Sequence, residues 1–276
     1  MTKPGVFLVL PAALALLFSA AFPVSAETLT VGPKGRFAKP CQALQAAKDA
    51  DTVEIDAAGD YSGDVCQFGA SNLLIRGVNG RPHIRAAGRY VNGKGIWIPS
   101  GSNTTVENIE MSGATVPDRN GTPIRLDGVG LTLRRVYFHD NENGLLTNGT
   151  GGDILIEYSE FDRNGDGIGQ AHNIYVNAER SLTVRFSTFR RSKVGHLFKS
   201  RAATNFIHFN RFSSEDADSS FELDLPNGGY SVVAGNVFQQ GPFSQNQHII
   251  DYMGEGGNPG QQNVILLAYN TFINDG

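Results

Sequence analysis

The sequence predicts an all-β chain wound as a parallel solenoid, and three observations predict it. One short pattern recurs along most of the chain: segments ending in Met111, Phe138, Phe161, Phe189, Phe212, Phe238 and Phe272 lie 27, 23, 28, 23, 26 and 34 residues apart. Five residues before each endpoint stands an aliphatic side chain, namely Val106, Leu133, Ile156, Val184, Ile207, Val233 and Leu267. Two residues before each endpoint, a third column drifts from apolar to polar through Ile109, Val136, Ser159, Ser187, Asn210, Asn236 and Asn270. A unit of roughly 25 residues is one coil of short strands joined by turns. Successive coils pair about 4.8 Å apart, so equivalent side chains stack in columns. The aliphatic and Phe columns are then interior. A stacked Asn column satisfies its amides along the stack, which one isolated buried Asn cannot do. Leucine-rich repeats need several Leu per unit in fixed register, and a propeller needs a longer unit with Trp or Gly-His signatures. The chain has one Trp.

Taken in chain order, residues 1–26 read as a secretory signal peptide. Lys3 precedes an apolar run from Val6 to Phe22, and Val24-Ser25-Ala26 is a small-residue cleavage site. The expected product is a secreted or periplasmic protein with no membrane span after signal cleavage, since no later stretch approaches about 20 apolar residues. Residues 27–276 then form a single domain with an N-terminal cap over about 27–70. Within the cap, Pro40 to Ala50 reads as a short amphipathic helix with Leu44, Ala47 and Ala50 on one face. Asp51-Thr-Val-Glu-Ile55 alternates as a first strand. Cys41 and Cys66 both lie in this cap. In an oxidising compartment a structural disulfide between them is the default, with two free buried thiols as the alternative. Gly- and Asn-rich segments such as Asn148 to Gly152 and Asn227 to Gly229 suit the turns. Nothing after Phe272 reads as a cap, so that end is expected to continue, or to be covered by another chain or an earlier loop.

Composition excludes one class of partner. The formal charge is −4, with no run of Lys or Arg. Nucleic-acid binding needs clustered cations, so no nucleic-acid partner is expected.

The signal peptide, the cap helix, the Asp51-Thr-Val-Glu-Ile55 entry and the Asn-x-Phe coils together resemble the pectin-lyase-like right-handed parallel β-helix superfamily. The resemblance covers residues 29–276. It implies an all-β right-handed parallel β-helix with a short N-terminal cap helix, and extracellular polysaccharide chemistry.

Interior columns are packing, so function is expected from outward side chains. Three successive coils carry Gln170-Ala-His172-Asn173-Ile-Tyr175-Val-Asn177, Gly195-His196-Leu-Phe-Lys199-Ser-Arg201 and Phe221-Glu222-Leu-Asp224-Leu-Pro-Asn227. Aligned on the repeat, Asn173, His196 and Glu222 share one register position, and Tyr175, Phe198 and Asp224 the next outward one. Alternation puts Ile174, Leu197 and Leu223 inside. Three coils span about 10 Å, the size of a mono- to disaccharide site.

A uronic-acid polymer can be cut there by β-elimination. A base takes the proton α to the carboxylate, the 4-linked oxygen leaves, and the carboxylate's developing charge is neutralised by calcium or by cationic and amide donors. The expected base is Lys199 and the expected carboxylate clamp is Arg201. His172 or Tyr175 is the acid to the leaving oxygen. Glu222 and Asp224 are expected as calcium or hydroxyl ligands, assisted by Gln170, Asn173, Asn177, His196 and Asn227. The expected partner is an acidic polysaccharide, and calcium is the expected cofactor.

Lys and Arg beside a calcium site of Asn and two acids resemble the calcium-dependent lyases of the chondroitinase B and alginate-lyase type. Here, however, the basic pair precedes the acidic pair. The rival readings are a non-catalytic glycan-binding or envelope-structural β-helix, and a polysaccharide hydrolase or epimerase. The Asp-Pro-His-Asp motif of alginate epimerases is absent, and no paired aspartates of the polygalacturonase type are evident. His83, His139 and His208 read as surface or packing residues. His172 and His196 lack an evident third metal ligand.

Overall fold

In this computed structural model the structure describes residues 1–2, 26–258 and 260–276. The signal-peptide expectation therefore falls, apart from its ends, outside the described residues. The chain winds into stacked coils whose strands form three parallel sheets of ten, eight and eight strands. We call the ten-stranded one the long sheet; it runs from Thr28–Val31 to Val264–Ala268. The Phe sheet runs from His83–Arg85 to Thr271–Asn274, and the site sheet from Cys66–Phe68 to Ile250–Tyr252. Each strand pairs with its equivalent one coil away, so residues some two dozen positions apart become neighbours.

The expected columns are present. Phe138, Phe161, Phe189, Phe212, Phe238 and Phe272 form one line, with successive partners in direct register. From Phe161 onward the rings stack face to face with centroids 4.8–5.3 Å apart. The ladder of Val106, Leu133, Ile156, Val184, Ile207 and Val233 is buried on the long sheet. At the corner between the long and Phe sheets, the Asn210 amide donates to Asn236 Oδ1 at 3.1 Å, and the Asn236 amide to Asn270 Oδ1 at 3.0 Å. The two coils below use Ser159 and Ser187, whose hydroxyls accept a backbone N–H from the preceding coil. A second amide ladder at another corner joins Asn141 to Asn164 and Asn164 to Asn173.

The cap departs from expectation in one detail. Its helix is Pro40–Ala46, ending before Ala50. Asp51 accepts the Lys48 N–H at 2.8 Å, and Ala50 lies at φ 69 in the left-handed region, so a turn replaces the last helical residues. Cys41 and Cys66 form a disulfide with Cα atoms 5.7 Å apart, tying the helix to the first strand of the site sheet. At the last coil, Leu266, Leu267 and Phe272 are exposed. Among the described residues, no helix is long and apolar enough to cross a membrane.

Candidate functional site

The site sheet carries an outward column in which Tyr175 pairs with Lys199, Lys199 with Asp224, and Asp224 with Asp251. These belong to the short strands Tyr175–Val176, Lys199–Ser200, Leu223–Leu225 and Ile250–Tyr252. The expected register is therefore off by one in the middle coil. Lys199 occupies the position expected of Phe198, and Phe198 lies in the core, edge-on to Phe189 and Phe212. Leu197 and Phe198 are both buried because the chain is still turning there. Strict alternation begins only inside the strand, which holds two residues.

Lys199 Nζ lies 2.9 Å from Asp224 Oδ2 and 3.2 Å from Glu255 Oε1. Arg201 donates to the same carboxylate, with one nitrogen 2.6 Å from Oε2 and another 2.9 Å from Oε1. Asn227 Oδ1 accepts from that guanidinium at 2.7 Å and so aims it. The Tyr175 ring lies beneath both cations, 6.0 Å from Lys199 Nζ and 5.6 Å from the Arg201 guanidinium carbon. Against the upward push of burial, Arg201 and Lys199 hold the Glu255 carboxyl below its ordinary value.

The two histidines stack at 4.7 Å on the rim of this column. Each Nδ1 accepts a backbone N–H from the next coil: His172 from His196 at 3.0 Å, and His196 from Phe221 at 3.2 Å. That leaves each Nε2 carrying the proton. His196 Nε2 lies 3.2 Å from Asp224 Oδ2. Burial, then the neighbouring cations, lowers both imidazoles: His172 well below the ordinary range and His196 to about 3. Burial raises Asp224 to about 6; Lys199 opposes the rise, and Asp251 adds to it.

Several expected site residues stand elsewhere. Asn173 is fully buried and closes the second amide ladder, its amide donating to the Arg190 carbonyl at 2.8 Å, so it does not reach a substrate. Glu222 is also fully buried: Ser214 donates to its Oε1 at 2.6 Å, Oε2 has no partner, and burial raises it to about 7. Glu222 and Asp224 therefore do not converge as a calcium pair, and the space beside Asp224 is filled by the Lys199 ammonium. Asn177 shapes its own turn, accepting the Ala178 N–H at 2.9 Å. Gln170 is exposed on the turn before His172.

The inserted loop before Phe272, in which the sequence places Asp251, Tyr252 and Glu255, completes the site. Asp251, Gly254 and Glu255 join His196, Lys199, Phe221, Asp224 and Pro226 around a cavity of about 260 Å³. The sequence signal for these was the long interval before Phe272, an inserted loop placed to wall a cleft. Toward the N-terminal coils, Arg125 continues the outward column two coils from Tyr175.

A family model described as right handed beta helix region matches residues 69–238, more than half of the chain. The chain belongs to the right-handed β-helix family. No curated protein matches it. In this right-handed β-helix, the long insertion folds back over the site sheet. What results is a groove lined by Lys199 and by the carboxylates Asp224, Asp251 and Glu255, with Arg201 behind Glu255. Such a groove can hold an anionic group and move a proton beside it.

Proposed function

We propose that this chain is a carbohydrate-active β-helix protein that takes an acidic polysaccharide across the site sheet and cleaves it by β-elimination. The observation that carries this reading is the carboxylate of Glu255, gripped at once by Lys199 and by two nitrogens of Arg201. The pair is built to hold a carboxylate, and a uronate residue brings the same group. Arg presents a planar fork matched to it. The right-handed β-helix supports a glycan-related role, and the disulfide suits the oxidising compartment of a secreted or periplasmic protein.

In this reading a uronate displaces Glu255. Arg201, aligned by Asn227, neutralises the carboxylate as charge builds on it. Lys199 first passes its ammonium proton to solvent, and the neutral amine, positioned beside Asp224, then accepts the α-proton. The C–H electron pair becomes the new double bond as the bond to the 4-oxygen breaks. Tyr175, one coil away, donates a proton to that oxygen. Histidine donation is disfavoured, because the His172 Nδ1 is committed to the backbone and its ring is almost wholly buried.

A second reading rests on Asp224 and Asp251 as register partners, with Asp224 raised to about 6. A carboxylate raised by burial beside a second carboxylate suits hydrolysis. A panel of uronic-acid polymers separates the two. β-Elimination gives an unsaturated product with new ultraviolet absorbance, and Lys199→Ala lowers its rate by about 10²-fold or more while circular dichroism is unchanged. Reducing ends without that absorbance transfer the groove to hydrolysis. Saturable binding without either product makes it a binding module.

A further inference from the structure

On the Phe sheet, far along the chain from Lys199, three coils bring together residues that looked unrelated in sequence. His83 and Glu110 are register partners, and His139 lies diagonally across on the following coil. His83 Nδ1 and His139 Nε2 both lie 3.2 Å from one oxygen, Glu110 Oε1, and His139 Nε2 is aimed at it. The three ligating atoms lie within 4.8 Å of one another.

The outer sides of the two rings are already engaged. His139 Nδ1 lies 2.7 Å from Asp140 Oδ2, and that carboxylate is itself held by two nitrogens of Arg163 at 3.0 and 2.8 Å. His83 Nε2 lies 2.7 Å from Ser112 Oγ. A His139 that gives its Nδ1 proton to Asp140 turns a lone pair toward a carboxylate oxygen. A nitrogen lone pair facing a carboxylate oxygen at 3.2 Å is repulsive unless something positive lies between them. Either His139 carries a second proton, or a cation is bound. The surroundings match the second choice. A carboxylate–histidine–metal relay fixes the tautomer and sharpens the ligand in this way. In a tetrahedral zinc site, bonds of about 2.0–2.1 Å put ligand atoms about 3.3 Å apart, and both His–Glu separations already have that length. The side chains are 14–29% exposed, which leaves water a way to a fourth position.

We propose that His83, Glu110 and His139 form a binding site for a divalent transition metal of the zinc class, with Asp140 and Ser112 as the outer partners that orient the two imidazoles. Two imidazoles and one carboxylate favour such an ion over the oxygen-loving calcium or magnesium.

The test uses the purified, untagged chain after treatment with a chelator. Zinc(II) alone is titrated by calorimetry, and cobalt(II) alone by its visible absorption. The expected result is one equivalent bound, with Asp140→Asn weakening uptake by about 10- to 100-fold and Glu110→Gln abolishing it at this site. Histidine ring NMR on the unmutated chain guards against misfolded variants: zinc should move the His83 and His139 ring signals and leave those of His172 and His196 in place. Absence of saturable uptake overturns the proposal. So does uptake that survives Glu110→Gln, or that moves the His172 and His196 signals instead. A doubly protonated His139 in the presence of excess zinc means that the proton, not a metal, fills the gap.

Discussion

Asp224 is the residue at which burial and function meet. It pairs with Lys199, lies 3.2 Å from His196 Nε2 and stands beside Asp251. Burial raises it to about 6, so it is ionised at neutral pH and becomes protonated just on the acid side. Once protonated it no longer pairs with Lys199, and the amine loses its orientation. Turnover should therefore fall as pH drops through about 6, and Asp224→Asn should lower the rate while removing that acid limb from the pH–rate profile. A limb near pH 6 that persists in the variant would assign it to another group. Glu222 makes the opposite kind of prediction, about stability. Its folded value, about 7, lies above its ordinary 4.5, so the folded protein holds the proton more tightly than the unfolded chain. Stability present in acid is then lost as pH rises from about 4.5 through about 7. Glu222→Gln should leave melting unchanged at pH 4 and stabilise by on the order of 3 kcal/mol at pH 8, read from denaturant unfolding. The sequence marked Asp224, Lys199, Arg201 and Asn227 because their types and coil positions suit an outward cluster. It misplaced Glu222 and Asn173 because alternation describes a strand, and both stand on the bend before one. Glu255 was legible only as part of a long insertion, since no local pattern says where a loop folds back.

At the scale of the element, the coil corners carry the polar columns, and their energetics can be tested. Asn210 accepts the Ser187 N–H at 3.0 Å through its side chain and donates to the Val184 carbonyl at 3.0 Å and to Asn236 at 3.1 Å. Asn210→Leu strands a buried N–H and a buried carbonyl, a loss of about 2–4 kcal/mol. Asn210→Ser keeps an acceptor for the Ser187 N–H, as Ser187 itself does for Ser159, and should cost about 1 kcal/mol. Urea unfolding of the two variants checks this; equal losses would mean that the amide ladder contributes only through volume. This column was readable beforehand because the repeat aligns it residue by residue. The second ladder, Asn141 to Asn164 to Asn173, was hidden because its last step joins residues 9 apart, within one coil. Beside the first ladder, Tyr158, Phe186 and Phe209 sit at φ 51, 54 and 57, with their rings stacked 5.1 and 5.6 Å apart on the surface. Non-glycine residues are uncommon in that conformation. The corner geometry imposes it once per coil, and the stacking offsets part of its cost.

For the whole molecule, a solenoid is close to one-dimensional: each coil touches its neighbours, and stability is a sum of coil and interface terms. The cap tests that property. Helix Pro40–Ala46 buries Cys41, Ala43 and Leu44 against the first coil, and the Cys41–Cys66 disulfide closes a loop with a sequence separation of 25. Closing a loop of that length restricts the unfolded chain and is worth about 3 kcal/mol. In a globular core such a loss would spread through the molecule. Here it should stay local. After reduction and thiol blocking, amide hydrogen exchange should accelerate in Thr28–Val31, Thr52–Asp56 and Cys66–Phe68, the strands that meet the cap. Ser181–Arg185, Thr204–His208 and Tyr230–Ala234 lie several coils away on the long sheet and should keep their protection. The Lys199 groove rests on these same coils, so the proposed binding of uronic-acid polymers should survive reduction at temperatures below the cap's own melting. Uniform loss of protection along the chain would show instead that the stacked columns couple the coils into one cooperative unit, with the cap holding all of it together.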